Sequence, residues 1–205
     1  MWGAVWAWSD GVGPVPLAIA VGMYLVTGHG VSIGFHRMLT HRSFRPSRPL
    51  KIALAIAGSM AAEGSAFTWV AQHRRHHAYA DTPADPHSPW HYGPGFGPQV
   101  RGLLHAHFGW FFLSNPSHPE RWIPDLLADP DLQAVSRTAT VWVLLSLALP
   151  TLLGWLLTGT LAGALATLLW AGGARIFLLH HVTWGVNSLG HMFGKHPYQT
   201  NDHSG

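Results

Sequence analysis

The chain has 205 residues, of which 48% are hydrophobic, only 10% are charged and 11 are tryptophan, with a net charge of +3. An ordinary soluble domain carries about 25% charged residues, and tryptophan concentrates at membrane interfaces, so this composition points away from a soluble domain. The small, dispersed charge leaves no nucleic-acid footprint, and the absence of cysteine excludes disulfides, thiolate metal sites and a cysteine nucleophile.

The first predicted element is an apolar span from about Pro14 to Phe35. The stretch before it has no basic n-region and no cleavage signal, so it does not read as a signal peptide. Leu50 to Ala62 is apolar but short, and ends at Glu63-Gly64. That length suits an interfacial or re-entrant helix better than a crossing. Tyr79 to Pro98 is rich in turn formers and reads as loop. Leu103 to Leu113 reads as a short helix on the membrane surface, and Asp125 to Arg137 as a polar lead-in to the second span. That span, about Thr138 to Leu157, and a third, about Leu161 to Trp184, are joined by the uncharged turn Thr158-Gly159-Thr160, which predicts a helical hairpin. The expected fold is therefore all-α and integral to the membrane. It has about three transmembrane helices, interfacial helices and a histidine-rich cap, in a single domain over residues 1–205.

Every Lys and Arg except Arg175 lies outside the three spans. The positive-inside rule then places the polar region on the cytoplasmic side. Arg175 falls inside the third span, where an ionisable residue is costly and is expected to face protein.

The 16 histidines outnumber Lys and Arg together. Three groups come directly after apolar segments: His36-Arg37-Met38-Leu39-Thr40-His41, His73-Arg74-Arg75-His76-His77, and Asn187-Ser188-Leu189-Gly190-His191. Residues i, i+3 and i+4 share one helix face, so His73, His76 and His77 can converge, as can Asn187 and His191. His36 and His41 are i and i+5, about 140° apart on an α-helix, and are expected to converge if the helix ends between them. Any single histidine could be an ordinary surface residue. Neutral imidazole is nonetheless a common ligand for iron, zinc, copper and nickel, and many His without Cys suits oxygen chemistry better than structural zinc. If the first two groups bind one centre, they lie on one side, and the Leu50 segment between them cannot cross the membrane once.

These residues resemble a known family. Gly34 to Phe44 is similar to the first histidine box of acyl-CoA and acyl-lipid Δ9 desaturases, and Trp69 to His77 to the second. Asp81-Thr82-Pro83-Ala84-Asp85-Pro86-His87 resembles that family's acidic D-x-D-P-H stretch. His107-Phe108-Gly109-Trp110 resembles its H-x-G-W element, and Thr183 to His191 its T-W-x-V-N-S-x-x-H signature. The likeness runs from about Val12 to Gly205, nearest to the bacterial branch.

The resemblance implies two iron ions that use O2, with two electrons from an external donor of ferredoxin or reductase type. The substrate would be a long-chain acyl-CoA or acyl-lipid, and the product a cis double bond, in the Δ9 position. By this match His36, His41, His73, His76, His77 and His191 are iron ligands, and Asn187 reaches one iron through water. Trp69, Thr183 and Trp184 line the acyl tunnel. A bacterial inner membrane is the implied location, with membrane lipids around the spans and the active site on the cytoplasmic side.

The family pattern continues to a third box, H-x-x-H-H, whose spacing His196 and His203 lack. The remaining ligands are expected beyond Gly205, and a further span is expected before Pro14. The alternatives are a related membrane hydroxylase or ketolase, which the T-W-x-V-N-S element disfavours, and an inactive metal-binding fragment. Ala71 and Gln72 stand where animal enzymes carry an Arg-Asp pair near the CoA head group, which leaves the acyl carrier open.

Other polar residues have plainer readings. His29, His180 and His181 are expected to hydrogen-bond between helices. Asp81 and Asp85 either orient metal-binding histidines or cap their loop. His87, His91, His105 and His118 are expected at the surface or behind the ligands, and Glu63 is expected to be solvated.

Overall fold

The structure is a computed structural model, and it describes residues 13–112 and 117–193. The Trp-rich N-terminal stretch, Leu113, His196 and His203 lie outside the described residues. No strand occurs among those described. Three helices are long and apolar enough to cross a membrane: Pro14–Thr40, Ala139–Thr158 and Leu161–Met192. The all-α membrane fold expected from the sequence is the one observed.

The first and third spans run further than their apolar stretches. Backbone hydrogen bonding does not stop where polar residues begin, so the helices carry His36 in one case and Asn187 and His191 in the other. Two stretches, Gly30–Thr40 and Leu168–Ala174, are wound as π-helix. Such winding is rare and clusters at functional sites.

The chain divides into two compact units: Met1–Trp69 with Asp125–Leu179, and Val70–Pro124 with His180–Gly205.

In the first unit the spans bury small residues and expose large ones. Ser146, Pro150, Gly154, Ala164, Thr167 and Ala171 are buried, whereas Leu144, Leu156, Leu157 and Leu161 are 60–71% exposed. Close packing through small residues, with leucines outward, is how helices associate when lipid is the solvent. The hairpin turns at Gly159, and Thr160 caps the next helix by accepting from the Gly163 amide at 3.0 Å.

The Leu50 segment forms the helix Arg48–Ser59. Its 12 residues span about 18 Å, short of the ~30 Å hydrocarbon core. It presses on the π-wound end of the first span. A side chain at Gly30 would put its Cβ 2.2 Å from the Gly58 nitrogen. The polar end of the same helix meets the helix Pro130–Arg137. Arg48 makes a two-pronged bond to Asp131 at 2.8 and 2.9 Å, and Lys51 pairs with Asp129 and Asp131. Asp129 also caps that helix through the Asp131 and Leu132 amides.

Arg175 is buried, as its place in a span requires. Its guanidinium donates to the carbonyls of Ala171, Met60 and Ser146 and to the Ser146 hydroxyl, at 2.7–3.2 Å. Helix carbonyls, rather than a carboxylate, are the acceptors described for this cation.

The second unit holds the helix Phe96–His107, a 3-10 turn at Gly109–Phe112 and the short helix Pro119–Trp122. It also contains the C-terminal parts of the helices Ala66–Tyr79 and Arg175–Met192. The surface helix expected at Leu103 to Leu113 begins earlier and ends at His107, where the chain tightens into the 3-10 turn. Gly102 lies against Pro89, where a Cβ would come 1.8 Å from the carbonyl oxygen. Arg74 donates to the Trp122 carbonyl at 2.9 Å, and Arg121 to the Tyr79 hydroxyl at 2.8 Å.

Candidate metal centre

In the first unit, π-winding brings His36 and His41 together. Bonds close five residues apart, from the His41 amide to the His36 carbonyl at 3.0 Å and from the Thr40 hydroxyl to the Phe35 carbonyl at 2.9 Å. The Nε2 atoms of His36 and His41 come to 3.1 Å. The helix ends at Thr40, between the two histidines as expected for their convergence, but its last turns are π-wound, which the α-helical spacing does not announce and which stacks i over i+5. Trp69 lies in the same unit, half-buried, with its ring 5.7 Å from Phe35 and its Nε1 donating to Glu63 at 3.0 Å. Glu63, expected to be solvated, is thus partly engaged.

In the second unit, His73, His76 and His77 share one face as their spacing predicts. The Nε2 atoms of His73 and His77 are 3.1 Å apart, and the ring of His76 lies 5.5 Å from that of His77. The ring of His191 stands 5.0 Å from that of His76, although the two are far apart in sequence. Asn187 is half-buried one turn before His191.

Two imidazole nitrogens at 3.1 Å fit a metal. Ligand nitrogens about 2.1 Å from one ion and at right angles to each other lie about 3 Å apart. No ion is needed to explain one neutral N–H···N contact, but its repetition in two histidine boxes matches the chemistry of a nitrogen donor set.

The loop after His77 supplies carboxylates. His76 Nδ1 donates to both oxygens of Asp85 at 3.0 and 3.1 Å, and His191 Nδ1 donates to Asp81 at 3.1 Å. Asp85 also accepts from the amides of Asp81 and His87, at 3.0 and 3.1 Å. Both readings of these acids, loop cap and histidine partner, hold at once for Asp85. Burial pushes the Asp85 carboxyl up, but the His76 bond, the neighbouring imidazoles and the His87 amide outweigh it and hold it below the usual range. His76, Asp85 and His87 are close enough to share an ion, yet both oxygens of Asp85 are already engaged by three donors, so it serves these histidines better than it would a metal.

Of the two places expected for His87, the surface or behind the ligands, the buried one is observed. It stacks 4.4 Å from the His76 ring, and neither nitrogen has a hydrogen-bond partner among the described residues. Burial, then the charge of His76, push it down to about 3, so it is neutral. His105 is also buried rather than exposed, donating to the Pro86 carbonyl at 3.2 Å.

A second chain of bonds contains the bond between helices expected of His181, whose partners, His107 and through it Ser188, are not evident from the sequence. Ser188 donates to the Trp184 carbonyl at 2.8 Å and therefore accepts from His107 Nδ1 at 2.9 Å. The other nitrogen of His107 then accepts from His181 Nδ1 at 2.8 Å. Burial, then the neighbouring His181, lower the pKa of His107 and favour this neutral arrangement. The signal lies in the H-x-G-W element and in the serine of the last signature. Trp184 packs among His107, Phe111, His180 and His181, at 5.0–5.8 Å between ring centres. Thr183 beside it is half-buried. His29 bonds to the Leu25 carbonyl of its own helix at 2.6 Å rather than to another helix.

Comparison with known proteins gives this donor set a context. The profile of the fatty acid desaturase family matches residues 13–205. A hex-5-enoyl-[acyl-carrier protein] acetylenase of Moorena producens is 39% identical over 199 residues, 96% of this chain and 62% of the relative. An sn-1 stearoyl-lipid 9-desaturase of Anabaena variabilis is 33% identical, over 92% of this chain and 63% of its own length. Stearoyl-CoA desaturase 5 of Bos taurus is 35% identical, over 90% of this chain and 53% of its own length. The chain thus spans about three fifths or less of these relatives. With the profile matched from the first span to beyond the last histidine group, the chain belongs to the fatty acid desaturase family.

Proposed function

We propose that this protein is an O2-dependent desaturase that introduces a cis double bond, in the Δ9 position, into a saturated acyl chain of a CoA ester or a lipid. His36, His41, His73, His76, His77 and His191 hold a di-iron centre in this reading, and Asn187 reaches one iron through water. The single observation that carries it is the imidazole donor set, paired nitrogens at 3.1 Å with carboxylates behind His76 and His191. Bound iron supplies what no side chain can, oxidation of an unactivated methylene with O2.

The chain's own residues do the rest. The histidines present neutral nitrogens. Trp69, Thr183 and Trp184 hold the acyl chain and keep water from it. Two hydrogens from the substrate and two electrons from a ferredoxin- or reductase-type donor, with two protons, account for reduction of O2 to water. The basic residues outside the spans favour a cytoplasmic site at a bacterial inner membrane. The relatives' names mention three carriers, an acyl-carrier protein, a lipid and CoA.

The test is product analysis of the natural full-length protein in a host lacking unsaturated lipids. A new cis-monoene, with its position fixed by mass spectrometry, is expected. It should vanish in His76→Ala while the protein still inserts into membranes. A hydroxylated lipid without alkene would replace the reading by a hydroxylase, and full activity of His76→Ala would remove that residue from the ligand set.

A further inference from the structure

The loop after the second histidine group carries two carboxylates, each bonded to Nδ1 of a different imidazole. Asp85 takes His76 at 3.0 Å, nine residues back in the chain. Asp81 takes His191 at 3.1 Å, across 110 residues. The loop therefore joins one histidine of the helix Ala66–Tyr79 to one of the helix Arg175–Met192. We infer that Asp81 and Asp85 are positioning residues, which fix His76 and His191 as Nδ1–H tautomers so that Nε2 of each is the nitrogen left to bind a metal. This rests on the iron reading above for what Nε2 meets, but the tautomers themselves do not need it.

Three observations favour a positioning role over simple loop capping. Asp85 is buried with its carboxylate, and a loop cap has no need of burial or of an imidazole. Asp81 adopts φ +59°, in the left-handed region where glycine is unstrained and other residues are uncommon. Glycine would suit that backbone better but would offer His191 nothing. The two acids are also coupled, because the Asp81 amide donates to Asp85 at 3.0 Å and so ties the seat of one carboxylate to the other. The stacked ring of His87 covers the face of His76 and limits its rotation. A ligand imidazole bonded through its far nitrogen is a more basic and better oriented ligand, and losing such a partner typically weakens metal binding about 10–100-fold.

The test uses the natural full-length protein in detergent, with Asp85→Asn, Asp81→Asn and Asp81→Gly. Iron per chain and the rate of iron loss to a ferrous chelator are one readout. The nitrogen NMR signature of histidine tautomers in the metal-free protein is the other. Expected are Nδ1–H signatures for His76 and His191 in the wild type. Asp81→Gly should abolish only that of His191. Iron binding should weaken about 10–100-fold in Asp81→Gly, with the two Asn variants, which keep an acceptor, between it and the wild type. Asp81→Gly relieves the backbone strain but leaves His191 Nδ1 and the Ser88 hydroxyl without their acceptor, so the melting temperature of the metal-free variant is measured alongside to show that it is folded. Wild-type iron affinity and tautomers in Asp81→Gly would overturn the inference and leave the acids as loop caps. A wild type that shows the tautomers but binds no iron would overturn the iron reading while supporting the positioning one. Nε2–H forms in the wild type would overturn the positioning role whatever the iron result.

Discussion

The two units satisfy their buried polar groups in opposite ways. In the first unit the buried cation Arg175 is held by helix carbonyls and one serine hydroxyl. Thr27, Ser59 and Thr167 each bond back to their own helix. In the second unit imidazoles bond to carboxylates, to a serine and to one another. The first pattern suits helices whose surroundings offer no partners, since every donor must find an acceptor within the fold. The second fixes ring orientations and tautomers, which helix packing does not require but a nitrogen donor set does. The buried polar groups of the spans are thus satisfied as an apolar medium demands, whereas those of the second unit are satisfied in a way that orients nitrogens, as the His36–His41 pair does at the end of the first span.

The comparison is broken most severely at two glycines. Gly30 faces the Ala57–Gly58 backbone in the first unit, and Gly102 faces the Pro89 carbonyl in the second, both closer than any Cβ can approach. Backbone on both sides leaves no flexible side chain to yield. Gly30→Ala and Gly102→Ala should therefore each cost at the upper end of the about 1–3 kcal/mol typical of overpacking, or more. Hydrogen exchange resolved by peptide should show Gly30→Ala loosening residues 30–59 and Gly102→Ala loosening residues 85–105. Equal loosening of both regions by either variant would mean that the units are not energetically separate.

Legibility in the sequence divides instead between features set by local pattern and features set by packing. The spans, the hairpin and the interior placement of Arg175 come from hydropathy and the cost of a charge in lipid, which are local and one-dimensional. The face shared by His73, His76 and His77 comes from α-helical spacing. The meeting of His36 with His41 could not be read that way, because i and i+5 diverge on an α-helix and nothing in Gly30–Thr40 announces π-winding. Asp81 and Asp85 are visible as acids beside histidines, but the partner of Asp81 lies 110 residues away and depends on packing. For His87 the sequence leaves both the surface and a place behind the ligands open, because its residue type and polar loop do not decide burial; packing does.

A middling effect is expected at Arg175. Arg175→Met keeps a long side chain but leaves the carbonyls of Met60 and Ser146 without their donor. Each buried acceptor left unpaired costs about 1–3 kcal/mol. Arg175→Lys should recover part of this, having fewer donors and no planar fork. Unfolding in a denaturing detergent titration would rank the three as Arg, Lys, Met. If Met matched the wild type, the carbonyl acceptors would not be what holds the first unit together.

The smallest effect is expected where the first unit borrows the second unit's chemistry. Asp131, paired with Arg48 and Lys51, is a carboxylate holding cations at the exposed end of the helix Arg48–Ser59. The Arg48 hydrogen bond, followed by that of Lys51 and their charges, outweighs the cost of burial and lowers its pKa to about 2. A carboxyl whose folded pKa is depressed binds its proton more readily when unfolded. Its contribution is therefore complete above the unfolded value of about 3.9 and is lost as pH falls towards about 2. Asp131→Asn should lower the melting temperature slightly at pH 6 and remove the part of the decline between about pH 4 and 2 that the wild type owes to this group. High salt should shrink the difference, because Arg48 is well exposed and such pairs are screened. Asp85 is the contrasting carboxylate, buried against an imidazole, so salt should leave its bond to His76 intact. A salt-insensitive Asp131→Asn effect would mean that this pair acts through packing, and that the contrast between a carboxylate paired with an exposed cation and one bonded to a buried imidazole does not hold here.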